Sequence, residues 1–241
     1  NLERQELLVG TLTDVNEKQP DVDNRNYLKF CKIDYPSGEK QALKVFKKIE
    51  HEGEINKLKI NPFDSNIIAA INEKSEVNIF DRKKGFLSKL SGVHNEDEGF
   101  GLSFSKLESN VLLSAASDGK RVLWDISRMS KITEDATHTA GVNCIEFSSL
   151  KKNLFASVSD DKTLILSDTR ENNESFKSVQ SLTYSSVLNA VSFSPFSENL
   201  LACGGEDSLV ALYDIRYFKA SQPLHLMAGH EDNVTNLQRA D

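Results

Sequence analysis

Serine, histidine and aspartate recur together along this chain, and that trio is the raw material of nucleophilic acyl transfer. His94, Ser114 and Asp118 form one set; His138, Ser157 and Asp161 form another. A hydrolase needs its nucleophile once, on an exposed and strained turn of the G-x-S-x-G kind. Here the same types return at nearly fixed spacing in successive stretches, which fits a structural role repeated along an array. No phosphate-cradling glycine loop, G-x-G-x-x-G or metal-spaced His/Cys/Asp cluster accompanies them. Cys31, Cys144 and Cys203 are an odd, scattered set inside apolar runs and read as small buried thiols in a reducing compartment. His225 stands alone and reads as a loop or strand-edge residue. The expectation is a protein with no catalytic residue, no metal and no cofactor.

The elements that position these residues are repeats. Four segments close on aspartate: VNIFD at Asp81, VLWD at Asp125, LILSD at Asp168 and VALYD at Asp214, at intervals of 44, 43 and 46 residues. Fifteen places before each stand Asn66, Asn110, Asn153 and Asn199. Seven places before stand Lys74, Asp118, Asp161 and Asp207. His51, His94 and His138 open three units, Ser185 takes that place in the next, and His230 opens another. Runs such as VNCIEFS, NLFASVS and TLILSD are short, rich in β-branched residues and bounded by turn formers, without helical periodicity. Four short strands per repeat of this length is the pattern of a propeller blade. The units fall at 49–84, 85–130, 131–171 and 172–219, after a divergent blade over 1–48 and before the start of a further blade over 220–241.

In a propeller the first strand of every blade lines a common channel, so residues at equal offsets converge. Twenty-five places before each terminal aspartate stand Asn56, Phe100, Asn143 and Asn189, at the start of the inner strands. Two places earlier are Glu54, Glu98, Gly141 and Val187. The turn between the second and third strands adds Glu73, Ser117, Asp160 and Glu206 eight places before the aspartate. Together these predict an acidic, amide-lined mouth that suits an extended peptide carrying Arg or Lys. The whole chain agrees in sign, with 36 acids against 29 bases and a formal charge of −7. That balance disfavours direct nucleic-acid binding and favours a basic partner. No run approaches 18 apolar residues and no secretory signal is visible, so neither a membrane partner nor export is expected. The first residue is Asn1, not Met, which suggests a longer parent chain.

The repeat resembles the WD-repeat family, and the resemblance covers nearly the whole sequence. It implies an all-β WD-repeat β-propeller, of which about five of about seven blades are visible. It also implies a buried hydrogen-bonded tetrad of His, Ser, turn Asp and Trp. His94, Ser114, Asp118 and Trp124 match it in full; His138, Ser157 and Asp161 match without the Trp; the next unit keeps Asp207, with Cys203 at the Ser position. The 49–84 unit keeps His51 but carries Ala70 and Lys74. Only Trp124–Asp125 is the literal dipeptide, with Phe80, Ser167 and Tyr213 elsewhere.

A narrower likeness rests on HEGEIN, EGFGLS, HTAGVN, SVSDDK and VLNAV, which resemble the retinoblastoma-binding, Msi-like histone-binding family. The resemblance implies a nuclear chromatin-complex subunit, shuttling through the cytoplasm, that grips histone tails and takes no small-molecule substrate. Carried over by motif, the implied peptide contacts are Glu54, Asn56, Glu98, Phe100, Asn143, Asp160 and Asn189. Departures from the family pattern are Phe100 for Tyr, Asn143 for an acid, Asn233 and Thr235 for an acid and Phe, and Leu12 for His. They imply a weaker or retuned peptide site. The family's groove for a histone-four helix uses elements that this sequence lacks. The alternative role is a substrate receptor of a cullin-type ubiquitin ligase, for which Asp168–Arg170 and Asp214–Arg216 supply the Asp-x-Arg signature.

Overall fold

The computed structural model describes residues 6–10, 26–34, 42–95, 98–170, 176–220 and 222–238. Leu12 lies outside them. Five antiparallel sheets follow one another along the chain. The first holds β1 (Glu6–Gly10), β2 (Asn26–Asp34) and β3 (Ala42–His51). The second holds β4 (Ile55–Ile60), β5 (Ile67–Asn72), β6 (Val77–Asp81) and β7 (Gly85–Leu90). The third holds β8 (Gly99–Phe104), β9 (Val111–Ala116), β10 (Arg121–Asp125) and β11 (Ser130–Asp135). The fourth holds β12 (Val142–Phe147), β13 (Leu154–Ser159), β14 (Thr163–Asp168) and β15 (Lys177–Thr183). The fifth holds β16 (Leu188–Phe193), β17 (Leu200–Gly205), β18 (Leu209–Asp214) and β19 (His225–Ala228), with a 3-10 segment over Ile215–Ala220 before β19.

In the four-stranded sheets the second strand is buried on both faces, so β5, β9, β13 and β17 read as apolar and small residues almost without a break. Apolar clusters join each sheet to the next. Ile79 packs with Leu102 and Val122, Leu113 with Ile145 and Phe155, and Leu164 with Leu188 and Leu201. The core is therefore a set of layers between successive sheets, as a propeller requires. Sheets and sequence units are out of step by one strand. The opening residues of one unit form the outer strand of the preceding sheet, so β7, β11, β15 and β19 each pair with the strand that ends in the terminal aspartate.

The recurring asparagines have a backbone reason. The carbonyls of Asn66, Asn110, Asn153 and Asn199 accept the N–H that follows each terminal aspartate, at 2.7–3.0 Å. At Asn110 and Asn153 this needs φ of 65°, a left-handed conformation that asparagine tolerates better than most residues. In the first sheet, Gly10 lies against Ile55 of β4, as Ile71 of β5 lies against Gly99 of β8. β1, β2 and β3 thus take the second, third and outer positions of a blade. Outer strands are edges, and a bulge opposite Phe30/Cys31, Ile79/Phe80, Leu123/Trp124 and Leu166/Ser167 breaks the pairing in four of them. Such bulges twist an edge away from a neighbour's strand.

Candidate functional site

The Ser/His/Asp sets are interior ties. In the third sheet His94 Nε2 meets Ser114 Oγ at 2.9 Å, His94 Nδ1 meets Asp118 Oδ1 at 3.3 Å, and Trp124 Nε1 donates to Ser114 Oγ at 2.8 Å. In the fourth, His138 Nε2 meets Ser157 Oγ at 2.8 Å and Nδ1 meets Asp161 Oδ2 at 2.9 Å. Both serines are buried, so neither offers a nucleophile to a substrate. Burial pushes the Asp118 and Asp161 carboxyls up. For Asp118 the His94 ring with the N–H groups of Asn95 and Lys120 outweighs it, and for Asp161 the Thr163 hydroxyl, Thr139 N–H and His138 do. Both carboxyls end below the usual carboxylate range. Burial, helped by the Arg121 charge, holds His138 below its ordinary value, so the ring is neutral at pH 7.

Three ties differ from what the sequence predicts. The fourth sheet lacks the tryptophan, and Arg121 of the preceding sheet fills the gap. Its Nη1 donates to Ser157 Oγ at 3.0 Å and Ser167 Oγ at 2.9 Å, and its Nε and Nη2 grip Asp135 at 2.9 and 2.5 Å. The guanidinium, 0% exposed, lies over Phe155 and Phe176. In the fifth sheet the side chain that reaches Cys203 is Tyr184 (Oη to Sγ 3.0 Å), not Ser185, and the Tyr184 hydroxyl also donates to Tyr213 Oη. Ring reach explains the shift: a phenol spans from one residue earlier. Burial pushes the Cys203 thiol up to about 12, which makes it inert. Asp207 caps its own turn, accepting Leu209 N–H at 3.1 Å. In the second sheet His51 Nδ1 meets Glu52 O at 3.1 Å, and its buried Nε2 has no partner among the described residues where Ala70 replaces serine. Asn72 takes over the turn there, its Oδ1 accepting the N–H of Lys74 and of Glu76 at 3.1 and 2.8 Å.

Four of the seven predicted mouth residues, those that begin the inner strands, are bulge residues. Pairing of inner with second strands skips one residue between Ile55 and Lys57, Gly99 and Gly101, Val142 and Cys144, and Leu188 and Ala190. The residues skipped are Asn56, Phe100, Asn143 and Asn189. A bulge releases its residue from the ladder and re-aims the side chain. Asn143 Nδ2 donates to Asp160 Oδ1 at 2.7 Å and Leu188 O at 3.1 Å, and lies 3.4 Å from Asn189 Oδ1, so three of the seven predicted residues meet. One residue on, Lys57 Nζ touches Cys144 Sγ at 3.4 Å, which brings β4 and β12 to one height.

The adjoining turns are held by a repeated bond. The N–H groups of Glu73, Ser117, Asp160 and Glu206 donate to the carbonyls of Glu54, Glu98, Gly141 and Val187 at 2.8–3.1 Å. Both rows of the predicted mouth are thus tied together in each of the four blades. Glu98, Asp160 and Glu206 are exposed, and Glu54 is half-buried. Glu73 is spent internally: its Oε2 accepts Glu54 N–H at 2.5 Å against Gly53, whose φ of 75° and missing side chain leave room for the carboxylate. No cluster of three or more potential metal ligands occurs among the described residues. The Asp-x-Arg arginines fold back on their own aspartates, Arg170 on Asp168 and Arg216 on Asp214, at 2.5 Å.

Comparison with known sequences gives two findings. The family model described as WD domain, G-beta repeat matches residues 130–168 and 176–214. The chain is similar to histone acetyltransferase type B subunit 2 of Kluyveromyces lactis, 38% identical over 97% of this chain and 60% of the relative. The Candida glabrata protein of that name is 36% identical over 98% of this chain and 59% of the relative, and the Eremothecium gossypii one 36% over 97% and 56%. The chain therefore spans about three fifths of the length of the curated relatives it matches.

Proposed function

From a chain that carries WD40 repeats and is homologous to histone acetyltransferase type B subunit 2, we propose a non-catalytic chromatin subunit whose acidic mouth binds extended basic peptides of the histone-tail kind. It works in the nucleus, shuttles through the cytoplasm and joins other subunits of a chromatin complex. The observation that carries this reading is the row of inner-strand bulges at Asn56, Phe100, Asn143 and Asn189, beside carboxylates at equal offsets. Bulged amides supply donors and acceptors for a peptide backbone. Glu54, Glu98 and Asp160 supply partners for Arg or Lys, each charge-assisted bond worth ~1.5–3 kcal/mol. The buried serines of the His/Ser/Asp ties support a non-catalytic role.

Fluorescence anisotropy of the intact protein with an unmodified histone-three tail peptide tests the reading. Binding should weaken at least tenfold, ~1.4 kcal/mol, in Glu98→Lys, and fall with rising salt. Unchanged affinity in that variant would remove the mouth as the site. Capture of a cullin adaptor with no tail binding would instead favour the ligase-receptor role.

A further inference from the structure

Opposite the mouth, the turn joining inner and second strands repeats in an unusual form. Eighteen places before each terminal aspartate stand Phe63, Leu107, Leu150 and Phe196. They are 53%, 41%, 43% and 80% exposed. Single exposed apolar residues are ordinary. Four at one offset are not scattered, because the inner strands set them around a common opening. The residues just before them all line one cavity of about 370 Å³ between the inner strands.

Each of these side chains stands on a rigid turn. Two residues earlier, a buried polar side chain accepts its backbone N–H: Asn61 Oδ1 from Phe63 at 2.9 Å, and the hydroxyls of Ser105, Ser148 and Ser194 from Leu107, Leu150 and Phe196 at 3.2–3.4 Å. The serine hydroxyls also accept the next N–H, from Glu108, Lys151 and Ser197, at 3.0–3.1 Å. The turns are thus fixed while their tips point outward, which lowers the ordering cost of a partner.

We propose that this face is a second docking surface, for an extended segment of another protein that carries carboxylates flanked by large apolar side chains. The ring of Phe63, Leu107, Leu150 and Phe196 takes the apolar groups, and Lys59 and Lys106 at the cavity take the carboxylates. Charge selects that partner. Lys57, Lys59 and Lys106 line the cavity with a single acid, Glu146, whose charge acts on Lys59 and Lys106 and whose carboxylate accepts Phe193 N–H at 3.1 Å, so the lining keeps an excess of positive charge. Lys59 is exposed at the cavity, and partial desolvation there with the neighbouring Lys57 charge holds its ammonium below its ordinary value. The nearby Glu108 is paired with Lys152 at 3.0 Å. A second copy meeting face to face would present the same lysines, and duplex DNA offers little apolar surface to the ring. Exposed apolar patches with polar margins are where soluble proteins take partners, and the lysines would fix register and on-rate.

The test is selection of a random 12-residue phage-displayed peptide library on the intact protein. Enriched clones should combine at least two acids with two or more of Leu, Ile, Phe, Met or Trp. Their synthetic peptides should bind at least tenfold more weakly to Phe63→Ser/Phe196→Ser and to Lys59→Glu/Lys106→Glu, and equally well to Glu98→Lys. Both aromatic positions are exposed, so the melting temperature should not move; if the double variant unfolds, Phe196→Ser alone carries the comparison. Enrichment of basic clones, enrichment equal on the Phe63→Ser/Phe196→Ser control, or affinity that survives both double variants overturns the proposal. So does sedimentation showing self-association that Phe196→Ser abolishes, because the face then pairs copies of this chain.

Discussion

Two blade junctions of the same design share apolar packing but differ in the polar ties added to it. Where the third sheet meets the fourth, one fully buried guanidinium, a carboxylate, two serines and a histidine form a closed polar network: Arg121, Asp135, Ser157, Ser167 and His138. Where the first meets the second, the corresponding histidine faces Ala70, Phe80 replaces tryptophan, and packing is apolar: Leu28, Phe30, Ile49, Ile68 and Phe80 cluster, with His51 edge-on to Phe80 at 6.3 Å. Repeat architecture makes both acceptable, because each interface is an independent term in the stability of the array. The polar junction specifies its geometry bond by bond and is brittle, since any deletion orphans a buried group. The apolar junction tolerates the loss of three tetrad members and leaves one ring nitrogen unsatisfied.

The comparison breaks hardest at Arg121. Arg121→Met would keep a similar volume between Phe155 and Phe176 but strand the Asp135 carboxylate, whose side chain is nearly buried. Losing one partner of a buried pair costs ~3–5 kcal/mol, so urea unfolding should show destabilisation of that order. Arg121→Met with Asp135→Leu should cost less than Arg121→Met alone, because no charge remains unpaired. If the double variant is the worse of the two, the guanidinium matters as filler and not as a charge.

Ser157→Ala comes next. It removes the hydroxyl that accepts Arg121 Nη1–H and donates to Nε2 of the neutral His138, and should cost ~2–3 kcal/mol, the upper part of the range for orphaned buried polar groups. Ser114→Ala in the third sheet orphans His94 and Trp124 in the same way and should cost a similar amount, although its tetrad is the complete one. A much larger loss for Ser157→Ala would show that Arg121 makes its network cooperative.

Chemistry that is local to one repeat is legible in the sequence. The asparagines at a fixed offset, the Ser/His/Asp sets and the residues of the inner-strand starts are legible, because a turn or cap needs the same residue type each time. Arg121 was not legible, since its partners Ser157 and Ser167 come from the following unit. Its one signal is a charged residue where Val77, Leu164 and Val210 stand in other repeats. Bulges escaped for a similar reason: one extra residue in a strand is defined only against its partner. Tyr184 escaped because an aromatic ring can take a histidine's place from a neighbouring position. The buried Asn61, Ser105, Ser148 and Ser194 do share an offset, a pattern present in the sequence that only the turn geometry makes meaningful.

Ala70→Ser tests the apolar junction in the favourable direction. A hydroxyl there would stand where Ser114 and Ser157 stand, opposite the unpartnered His51 Nε2. One added buried hydrogen bond should stabilise by ~1 kcal/mol, read as a higher urea midpoint at unchanged slope. Destabilisation would mean that the Phe80 edge leaves no room for the oxygen.

The gentlest probe is pH. Burial holds His51 and His138 below their ordinary 6.5. For such a base the unfolded chain binds more protons than the folded one once pH drops below 6.5. Stability should therefore fall as pH drops through 6.5, and level off below the folded-state values. Asp118 and Asp161, held below their ordinary 3.8, contribute stability that is present above that value and lost as pH falls through their folded values. The acid limb should thus show two stages. His138→Gln, which cannot titrate, should flatten the upper stage in proportion to the polar junction's share while leaving the lower stage attached to Asp118. An upper stage undiminished in His138→Gln and absent in His51→Gln would assign the pH response to the apolar junction, and the polar network would then be insensitive to protons until its aspartates titrate.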